Sequence, residues 1–393
     1  MRSLSTIALG NREKEDYYTE DESLKDSQEA YYAEGETPSA SKTMTQAIWH
    51  GNGAKSLGLE GDVARSDFKT VFYGHQPVTE QRIRGERPDK NKKERLAYDL
   101  TLSAPKSVSM ALHLGGDSRL FDAHLEAVQD TLDQVEALYA QARITVAGER
   151  KVFNTENLIA AIIPHHTSRE KDMQLHSHCV IMNGTHCPDG QWRSLWHEGI
   201  VDAEWLGSYY RNVLAQKVQA LGYEIYETRL EKGGSFEIRG YSRGDIEAFS
   251  KRSRQIVESL ERRGVEVTPE NRDGAVLTTR KAKQADETLE VFAARLQAEA
   301  STLGISSPTP SQQAVSLFGH RTAAEELESA IRHFSERSVS FSREDLYRYG
   351  FDHIQAFGID DLNQAIAHHP SLMATQSGRF TTVEALEREI RTI

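Results

Sequence analysis

The chain has 393 residues, of which 38% are hydrophobic and 27% charged, so it can hold two or three domains and has the composition of a globular protein. No apolar run approaches a membrane span, the first residues do not form a signal peptide, and two cysteines make no disulfide framework. These features predict a cytoplasmic protein without membrane insertion. The net charge of −12 argues mildly against a nucleic-acid partner, although local basic clusters decide such binding.

The N-terminal third predicts short elements separated by turns. Gly51–Ser56, "GNGAKS", lacks the spacing of a phosphate-binding loop and predicts a turn that leads into a helix. Tyr98–Leu102 alternates in polarity and predicts a strand, which Pro105 ends. Asp122–Ala142 carries apolar residues at helical spacing, so it predicts an amphipathic helix.

The middle of the chain predicts two neighbouring strands and then helices around a hairpin. Leu158–Ile163 and Gln174–Asn183 have strand patterns and are joined by a short polar loop, so we expect them to be adjacent and antiparallel. A helix over Asp202–Gly222 and a hairpin then precede two helices that begin at a cap on Ser242 or Asp245.

The C-terminal part predicts a small separate module. Gly304–Gln313, "GISSPTPSQQ", has the composition of a linker. Beyond it, the pattern predicts three helices and a short hairpin, which is compatible with a winged-helix-like arrangement. We therefore expect two domains, residues 1–305 and residues 306–393.

Histidines cluster at the two predicted neighbouring strands. His176 and His178 are alternate residues of one strand and share a face, and His165 at the end of the other strand would lie beside them. Three imidazoles that leave positions open for water and substrate are typical of a catalytic metal site. The alternative is a set of exposed strand histidines beside a loop. We expect His166 to face away from His165, and Cys179 to belong to the core.

Three Tyr-Tyr pairs add to this pattern, at Tyr17–Tyr18, Tyr31–Tyr32 and Tyr209–Tyr210. The last pair lies in a predicted amphipathic helix, so we assign it to packing. The first two occur in order with "WHGNGAKSLGL", "YDLTLSAPKSVSM", "HHTSREKDMQLHSH", "GQWRSL" and "TRKAKQ". In this joint pattern, about residues 1–300 resemble the MobF-class conjugative relaxases of the TrwC/TraI type.

The resemblance implies an α/β (α+β) fold of the HUH endonuclease type, in which helices flank a central antiparallel β-sheet that carries the metal site. It also implies site- and strand-specific nicking of a plasmid transfer origin by tyrosine transesterification. The product is a covalent 5′-phosphotyrosine, and the DNA strand is later rejoined. Tyr17 matches the primary nucleophile and Tyr31 the second one, with Tyr18 and Tyr32 as additional candidate tyrosines.

The same resemblance assigns the remaining site residues. His165, His176 and His178 match the metal triad, and Asp99 matches the acidic residue that orients a metal histidine or assists the tyrosine as a base. The resemblance implies Mg²⁺ or Mn²⁺, and Zn²⁺ or Ni²⁺ could occupy three imidazoles in vitro.

The chain departs from the family pattern in two places. Met173 stands where the family usually has proline. Tyr17 and Tyr31 are 14 residues apart, which is longer than the usual gap and corresponds to about 21 Å on one straight helix. Either the segment bends or Tyr31 contributes little.

The expected partners follow from the resemblance and from basic clusters. They are single-stranded DNA of the transfer origin, with its nic site and adjacent hairpin, relaxosome accessory proteins, a coupling protein and a type IV secretion system. The protein would act in the bacterial cytoplasm and be transferred with the DNA to the recipient cell. The predicted DNA contacts are Lys251, Arg252, Arg280, Lys281 and Lys283.

Competing interpretations share part of this pattern. A rolling-circle replication or transposition HUH nuclease would use the same chemistry, but the tyrosines precede the histidines here and "SAPKSVS" favours a relaxase. A non-catalytic origin-binding module would share the fold, and a three-histidine zinc hydrolase would share the metal site but lacks a separate general-base motif. Family members continue into a helicase. This chain has no Walker A motif, which predicts an N-terminal fragment or a helicase-less relative.

Overall fold

The computed structural model describes residues 2–21, 23–24, 44–85, 93–168, 171–230, 233–268, 271, 289–311 and 321–392. The strands are β1 Arg2–Ala8, β2 Ile48–His50, β3 Arg95–Ser103, β4 Gln141–Val146, β5 Glu149–Asn154, β6 Ala160–Thr167, β7 Met173–Met182, β8 Thr185–His186, β9 Trp192–Arg193, β10 Ile225–Leu230, β11 Gly233–Ile238, β12 Leu372–Ala374 and β13 Phe380–Thr382. The helices are α1 Arg12–Thr19, α2 Asn52–Ser56, α3 Arg65–Phe72, α4 Lys106–Gly115, α5 Arg119–Tyr139, α6 Glu198–Asp202, α7 Trp205–Ala220, α8 Arg243–Ala248, α9 Lys251–Arg262, α10 Leu289–Leu303, α11 Ala323–Ser335, α12 Arg343–Gly350, α13 Ile359–His368 and α14 Val383–Thr392.

These elements form two compact units. The first comprises Met1–Asp202 with Gly240–Pro308, and the second comprises Ala203–Arg239 with Thr309–Ile393. Among the described helices, none has both the length and the apolar character needed to cross a membrane.

The first unit is built on a five-stranded antiparallel sheet with the order β1-β3-β7-β6-β2. Side chains of α3, including Phe68 and Phe72, pack with Val180 and Ile163 of the sheet in one apolar cluster. On the other face, His124 of α5 hydrogen-bonds Ser177 of β7 at 2.8 Å. The mixed α/β architecture with a central antiparallel sheet and flanking helices is therefore confirmed.

The strand β6 is longer than the sequence predicted. It continues through Pro164 to Thr167, with an irregularity in its pairing with β7 between His165 and Thr167. Proline is tolerated here because β2 pairs only with residues 160–162 of β6, so among the described residues no strand needs an amide hydrogen bond from the outer side of β6 at Pro164. The prediction that the strand ends at Ile163 was wrong, and His165 is itself a strand residue.

A buried carboxylate fixes the start of β6. Glu136 of α5 accepts hydrogen bonds from the backbone N–H groups of Asn52 at 2.8 Å and Leu158 at 2.6 Å. Gly51 approaches the same segment so closely that a Cβ there would lie 2.3 Å from the Leu158 carbonyl oxygen, and its φ is +100°. The prediction of a turn that leads into a helix at Gly51–Ser56 is confirmed, and the turn supports the sheet.

In the second unit, α7 and the β10–β11 hairpin pack with the C-terminal helices. The Trp205 ring of α7 lies 4.8 Å from that of Tyr347 and 6.4 Å from that of Phe351, between centroids. Asn212 also donates to the backbone carbonyls of Phe351 and His353 at 3.3 and 3.1 Å. The predicted three helices and hairpin are present and are followed by α14, which was not predicted. The predicted boundary at residue 305 separates α7 and the hairpin from these C-terminal helices. Their association depends on aromatic contacts between segments far apart in sequence, which the prediction did not include.

Two buried histidines make the stability of the first unit depend on pH. Burial lowers the pKa of His113 and of His124 to about 3, with a smaller contribution from the nearby His166. In the unfolded chain the pKa of a histidine is about 6.5. Below that pH the unfolded chain binds protons that the folded chain excludes. The folded state therefore keeps its full stability above about pH 6.5 and loses stability progressively as the pH falls toward 3.

We expect the urea midpoint of the protein to be lower at pH 5.5 than at pH 7.5, with about 1 kcal/mol lost for each of the two imidazoles. A His124→Gln variant cannot take up a proton at this position, so its stability should fall less between the two pH values. Urea titrations of both proteins at both pH values measure the effect. Identical pH dependences would contradict this account.

Candidate active site

Three histidines meet on one face of the central sheet. His176 and His178 are alternate residues of β7, and the register of β6 with β7 sets His165 directly opposite His176. One nitrogen of each imidazole lies within 4.8 Å of a nitrogen of the other two. Within the part of the chain that the structure describes, no other group of three His, Cys, Asp or Glu side chains has such spacing.

Each imidazole has one nitrogen engaged by an acceptor. His178 Nδ1 lies 3.0 Å from Asp99 Oδ1, and His176 Nδ1 donates to the Gln174 carbonyl at 2.9 Å. His165 is held the other way round, because its Nε2 lies 3.0 Å from Asp21 Oδ2. Burial lowers the pKa of His176 well below its usual value, with His165 and His178 adding to the shift. A neutral imidazole is the form that binds a metal.

The two carboxylates that hold these histidines are buried and ionised. Burial alone would raise the pKa of Asp99, but hydrogen bonds and charge interaction with His178, and hydrogen bonds from Tyr18 and Thr101, hold it below its usual range. Asp21 follows the same pattern: burial opposes ionisation, whereas His165 and two hydrogen bonds from Ser23 lower its pKa. Such partners fix both the orientation and the tautomer of a ligating histidine.

Tyr17 of α1 brings its hydroxyl to the centre of this group. The oxygen lies 3.3 Å from His178 Nε2 and 3.5 Å from His165 Nδ1. The Tyr17 side chain is half-buried, which leaves part of it accessible from solvent.

Tyr18, the next residue, takes a different position. Its hydroxyl donates to Asp99 Oδ2 at 2.7 Å, and its side chain is buried. Burial first, and then the charge of Asp99, raises the pKa of Tyr18 far above that of a free phenol. Tyr18 is therefore suited to orienting Asp99 rather than to nucleophilic attack.

The helix α1 is anchored near both ends. Glu15 accepts hydrogen bonds from Gly10 N–H at 2.6 Å and from the Tyr73 hydroxyl at 3.2 Å. At the other end, the Arg65 guanidinium donates to the carbonyls of Thr19 and Asp21 at 2.8 and 3.1 Å. These contacts set the position of the Tyr17 side chain against the sheet.

The structure brings together Tyr17, Asp99 and the three histidines of the predicted triad. His166 turns away as expected, because its Nε2 donates to the Met44 carbonyl at 2.9 Å and its ring stacks on Phe121. Cys179 is buried in the core, as predicted. The predicted residues outside the described part of the chain are Tyr31, Tyr32, Arg280, Lys281 and Lys283.

Two site residues were missed by the sequence analysis. Thr101 Oγ1 lies 3.2 Å from Asp99 Oδ1 and 3.2 Å from His178 Nδ1. Strand alternation from Asp99 could have identified it, since residues two apart share a face. Asp21 stands in a strongly acidic segment, where no local pattern distinguishes it from its neighbours.

Lys251, a predicted DNA contact, has structural partners. Its ammonium lies 2.7 Å from Glu299 Oε1 and 3.7 Å from Asp172 Oδ1. The backbone N–H of Lys251 also donates to the buried Asp172, which thereby caps the start of α9. Lys251 thus links α9 to α10 and to the segment that precedes β7.

The donor set fits a divalent metal ion. One nitrogen of each imidazole is engaged by an acceptor, so the other nitrogen can act as a metal ligand. For His165 and His178, this second nitrogen faces the Tyr17 hydroxyl. Three imidazole ligands leave positions open for substrate, which is the pattern of a catalytic rather than a structural site.

Comparison with known proteins agrees with this geometry. A family model described as TrwC relaxase matches residues 11–303. The multifunctional conjugation protein TraI of Escherichia coli is 40% identical over 245 residues, which are 60% of this chain and 13% of that protein. The chain therefore spans a small part of the length of this relative.

Solved structures give the same match. The copper-bound conjugative relaxase TrwC in complex with oriT DNA is 37% identical, with a TM-score of 0.68, and the match covers 78% of this chain and all of that one. TrwC complexed with a 27-mer DNA comprising the recognition hairpin and the cleavage site is 36% identical with a TM-score of 0.65, at the same coverage. Since the family match contains α1 and both histidine strands, the chain belongs to the TrwC relaxase family, as its motifs predicted.

Proposed function

We propose that this chain is a conjugative relaxase that nicks one strand of a plasmid transfer origin and later rejoins it. The observation that carries the proposal is the Tyr17 hydroxyl, held 3.3 and 3.5 Å from two nitrogens of the histidine triad. The TrwC structures that this chain resembles contain oriT DNA, including the recognition hairpin and cleavage site. Single-stranded origin DNA is therefore the proposed substrate.

In the proposed reaction, the Tyr17 oxygen attacks the scissile phosphorus, the bond to the 3′ oxygen breaks, and the DNA 5′ end becomes bound to the tyrosine. A free phenol is a poor nucleophile at neutral pH because its pKa is near ~10. A divalent ion bound by the three histidines would polarise the phosphate and offset the charge on its oxygens. One ester replaces another, so the 3′ hydroxyl can reverse the step without ATP.

Asp99 has the role of an orienting residue in this proposal. Its oxygens engage His178 Nδ1 and the Tyr18 hydroxyl, so it holds His178 with Nε2 directed at Tyr17. Of the two roles implied by the family resemblance, this geometry favours orientation of the ligand over action as a base.

We further propose Mg²⁺ or Mn²⁺ as the cellular ion, with Zn²⁺ or Ni²⁺ able to bind in vitro. Metal-bound and copper-bound TrwC structures support a divalent metal at this site.

The proposed partners are relaxosome accessory proteins, a coupling protein and a type IV secretion system. They imply action in the bacterial cytoplasm and transfer with the DNA to the recipient cell. Tyr31 is proposed as a second nucleophile that ends transfer.

Tyr17→Phe should abolish the covalent adduct with a single-stranded origin oligonucleotide, because it removes the attacking oxygen. Tyr18→Phe is the matched control: it removes the hydroxyl that contacts Asp99, so we expect a reduced rate but a persistent adduct. Denaturing gel electrophoresis of protein and labelled oligonucleotide measures both. An undiminished adduct in Tyr17→Phe, with loss in Tyr31→Phe, would reassign the nucleophile. Binding without any adduct in the unmodified protein would favour a non-catalytic origin-binding module.

We propose that residues 1–305 form the relaxase domain and that residues 306–393 are a helical module. Every residue assigned to the chemistry precedes residue 305, and the matched TrwC chain is covered in full by 78% of this chain. A chain truncated after Gly304 should therefore still form the adduct. It should also be less stable, because Trp205 loses its contacts with Tyr347 and Phe351.

Thermal unfolding and adduct yield of the truncated and full chains test this division. A lower unfolding temperature with retained adduct is the expected pair of results. If the truncated protein stays folded but forms little adduct, the C-terminal residues take part in holding the DNA.

The proposed DNA contacts are Lys251, Arg252, Arg280, Lys281 and Lys283. An Arg280→Ala, Lys283→Ala double variant should bind origin DNA more weakly, and the slope of log affinity against log salt should decrease by about 1 for each lost phosphate contact. Lys251→Met tests a proposed contact that is also paired with Glu299, so its loss should lower stability as well as the salt slope. Fluorescence anisotropy over a salt series measures the slopes, and an unchanged slope in the double variant would remove both residues from the DNA surface.

A further inference from the structure

The three histidines of the site do not present the same atom to the centre. His176 and His178 have Nδ1 engaged, by the Gln174 carbonyl and by Asp99, which leaves Nε2. His165 has Nε2 engaged by Asp21 and directs Nδ1 at the Tyr17 hydroxyl. Because a neutral imidazole carries one proton, an acceptor on one nitrogen determines which nitrogen has the free lone pair.

We propose that Asp21 is a positioning residue that fixes His165 in the Nε2–H tautomer, so that His165 binds the metal through Nδ1 while its two partners bind through Nε2. The inference rests on the metal role of the triad proposed above and adds a residue to it. Asp21 acts through His165, and no contact between Asp21 and the substrate is invoked.

The surroundings of Asp21 make it a rigid acceptor. Its Oδ1 accepts hydrogen bonds from both the backbone N–H of Ser23 at 3.0 Å and the Ser23 hydroxyl at 2.7 Å, so Oδ2 is left for His165. Arg65 holds the Asp21 carbonyl, and the residue Asp21 is 9% exposed. Both oxygens and the backbone of this residue are therefore constrained.

Asp21 also couples the ligand to the nucleophile. It lies four residues after Tyr17, on the segment that Arg65 clamps at the end of α1. A single short segment thus supplies the attacking hydroxyl and the group that sets the tautomer of the histidine beside it. A shift of α1 would move both groups together relative to the sheet.

An Asp21→Asn variant gives a direct test, because its amide has one oxygen and one NH₂ group. The two Ser23 donors need the oxygen, so the NH₂ group would face His165 Nε2 and donate to it. His165 would then carry its proton on Nδ1, the nitrogen that would otherwise bind the metal. We therefore expect Asp21→Asn to reverse the tautomer of His165 and Asp21→Ala to leave a mixture of the two tautomers.

Long-range ¹H–¹⁵N correlation spectra of the metal-free protein, labelled at histidine and assigned with a His165→Gln variant, report the tautomer. Calorimetric titration with Zn²⁺ alone reports affinity, which should fall about 10- to 100-fold in both Asp21 variants. Asp16→Asn removes an exposed carboxylate from the neighbouring helix α1 and should leave both readouts unchanged.

The outcomes separate this inference from the function on which it rests. An Nδ1–H tautomer of His165 in the unmodified protein, or an unchanged tautomer in Asp21→Asn, would overturn the role of Asp21. A purely structural role would lower stability without reversing the tautomer, and would overturn it as well. If the unmodified protein bound no Zn²⁺, the metal role of the triad would fail, whereas the tautomer measurement would still decide what Asp21 does.

Discussion

The active site depends on the antiparallel register of β6 with β7. This register sets His165 opposite His176 and Ile163 opposite His178, so one imidazole from β6 joins two from β7 on the same face. A slip of one residue would turn His165 to the other face of the sheet and leave only a pair of histidines. The neighbouring pairing of β7 with β3 brings Asp99 and Thr101 to the same face. The start of β6 is held by the turn at Gly51 and by Glu136.

The acidic N-terminal segment has a specific task in this arrangement. Glu15 anchors α1 through Gly10 and Tyr73, and Asp21 holds His165. A carboxylate that is buried and fully hydrogen-bonded can fix a geometry that a flexible surface acid cannot. The net negative charge of the chain, which argues mildly against a nucleic-acid partner, thus includes carboxylates whose role is internal.

Strand periodicity predicted the central part of the site and failed at its edges. His176 and His178 could be assigned to one face because alternation along a strand is a local rule, and His165 followed from a short connection. The sequence predicts a strand end at Pro164, because it does not reveal that no described strand pairs with the outer side of this residue. Asp21 and the contacts of Trp205 with Tyr347 depend on groups far apart in the chain, for which a single sequence has no periodic signal. The distinction between Tyr17 and Tyr18 came from family resemblance, and its physical cause is visible only in the folded chain.

The different positions of Tyr17 and Tyr18 have a consequence for where DNA would be attached. Successive residues of a helix point about 100° apart, so the two adjacent phenols on α1 direct their hydroxyls at different groups. One meets the imidazoles and the other is locked against Asp99. In the proposed cleavage step, attachment would therefore be regiospecific, with the 5′ end joined to the Tyr17 oxygen beside His165 and His178. The reverse of the proposed step would start from the same geometry, so by microscopic reversibility the arrangement that makes the break would also seal it.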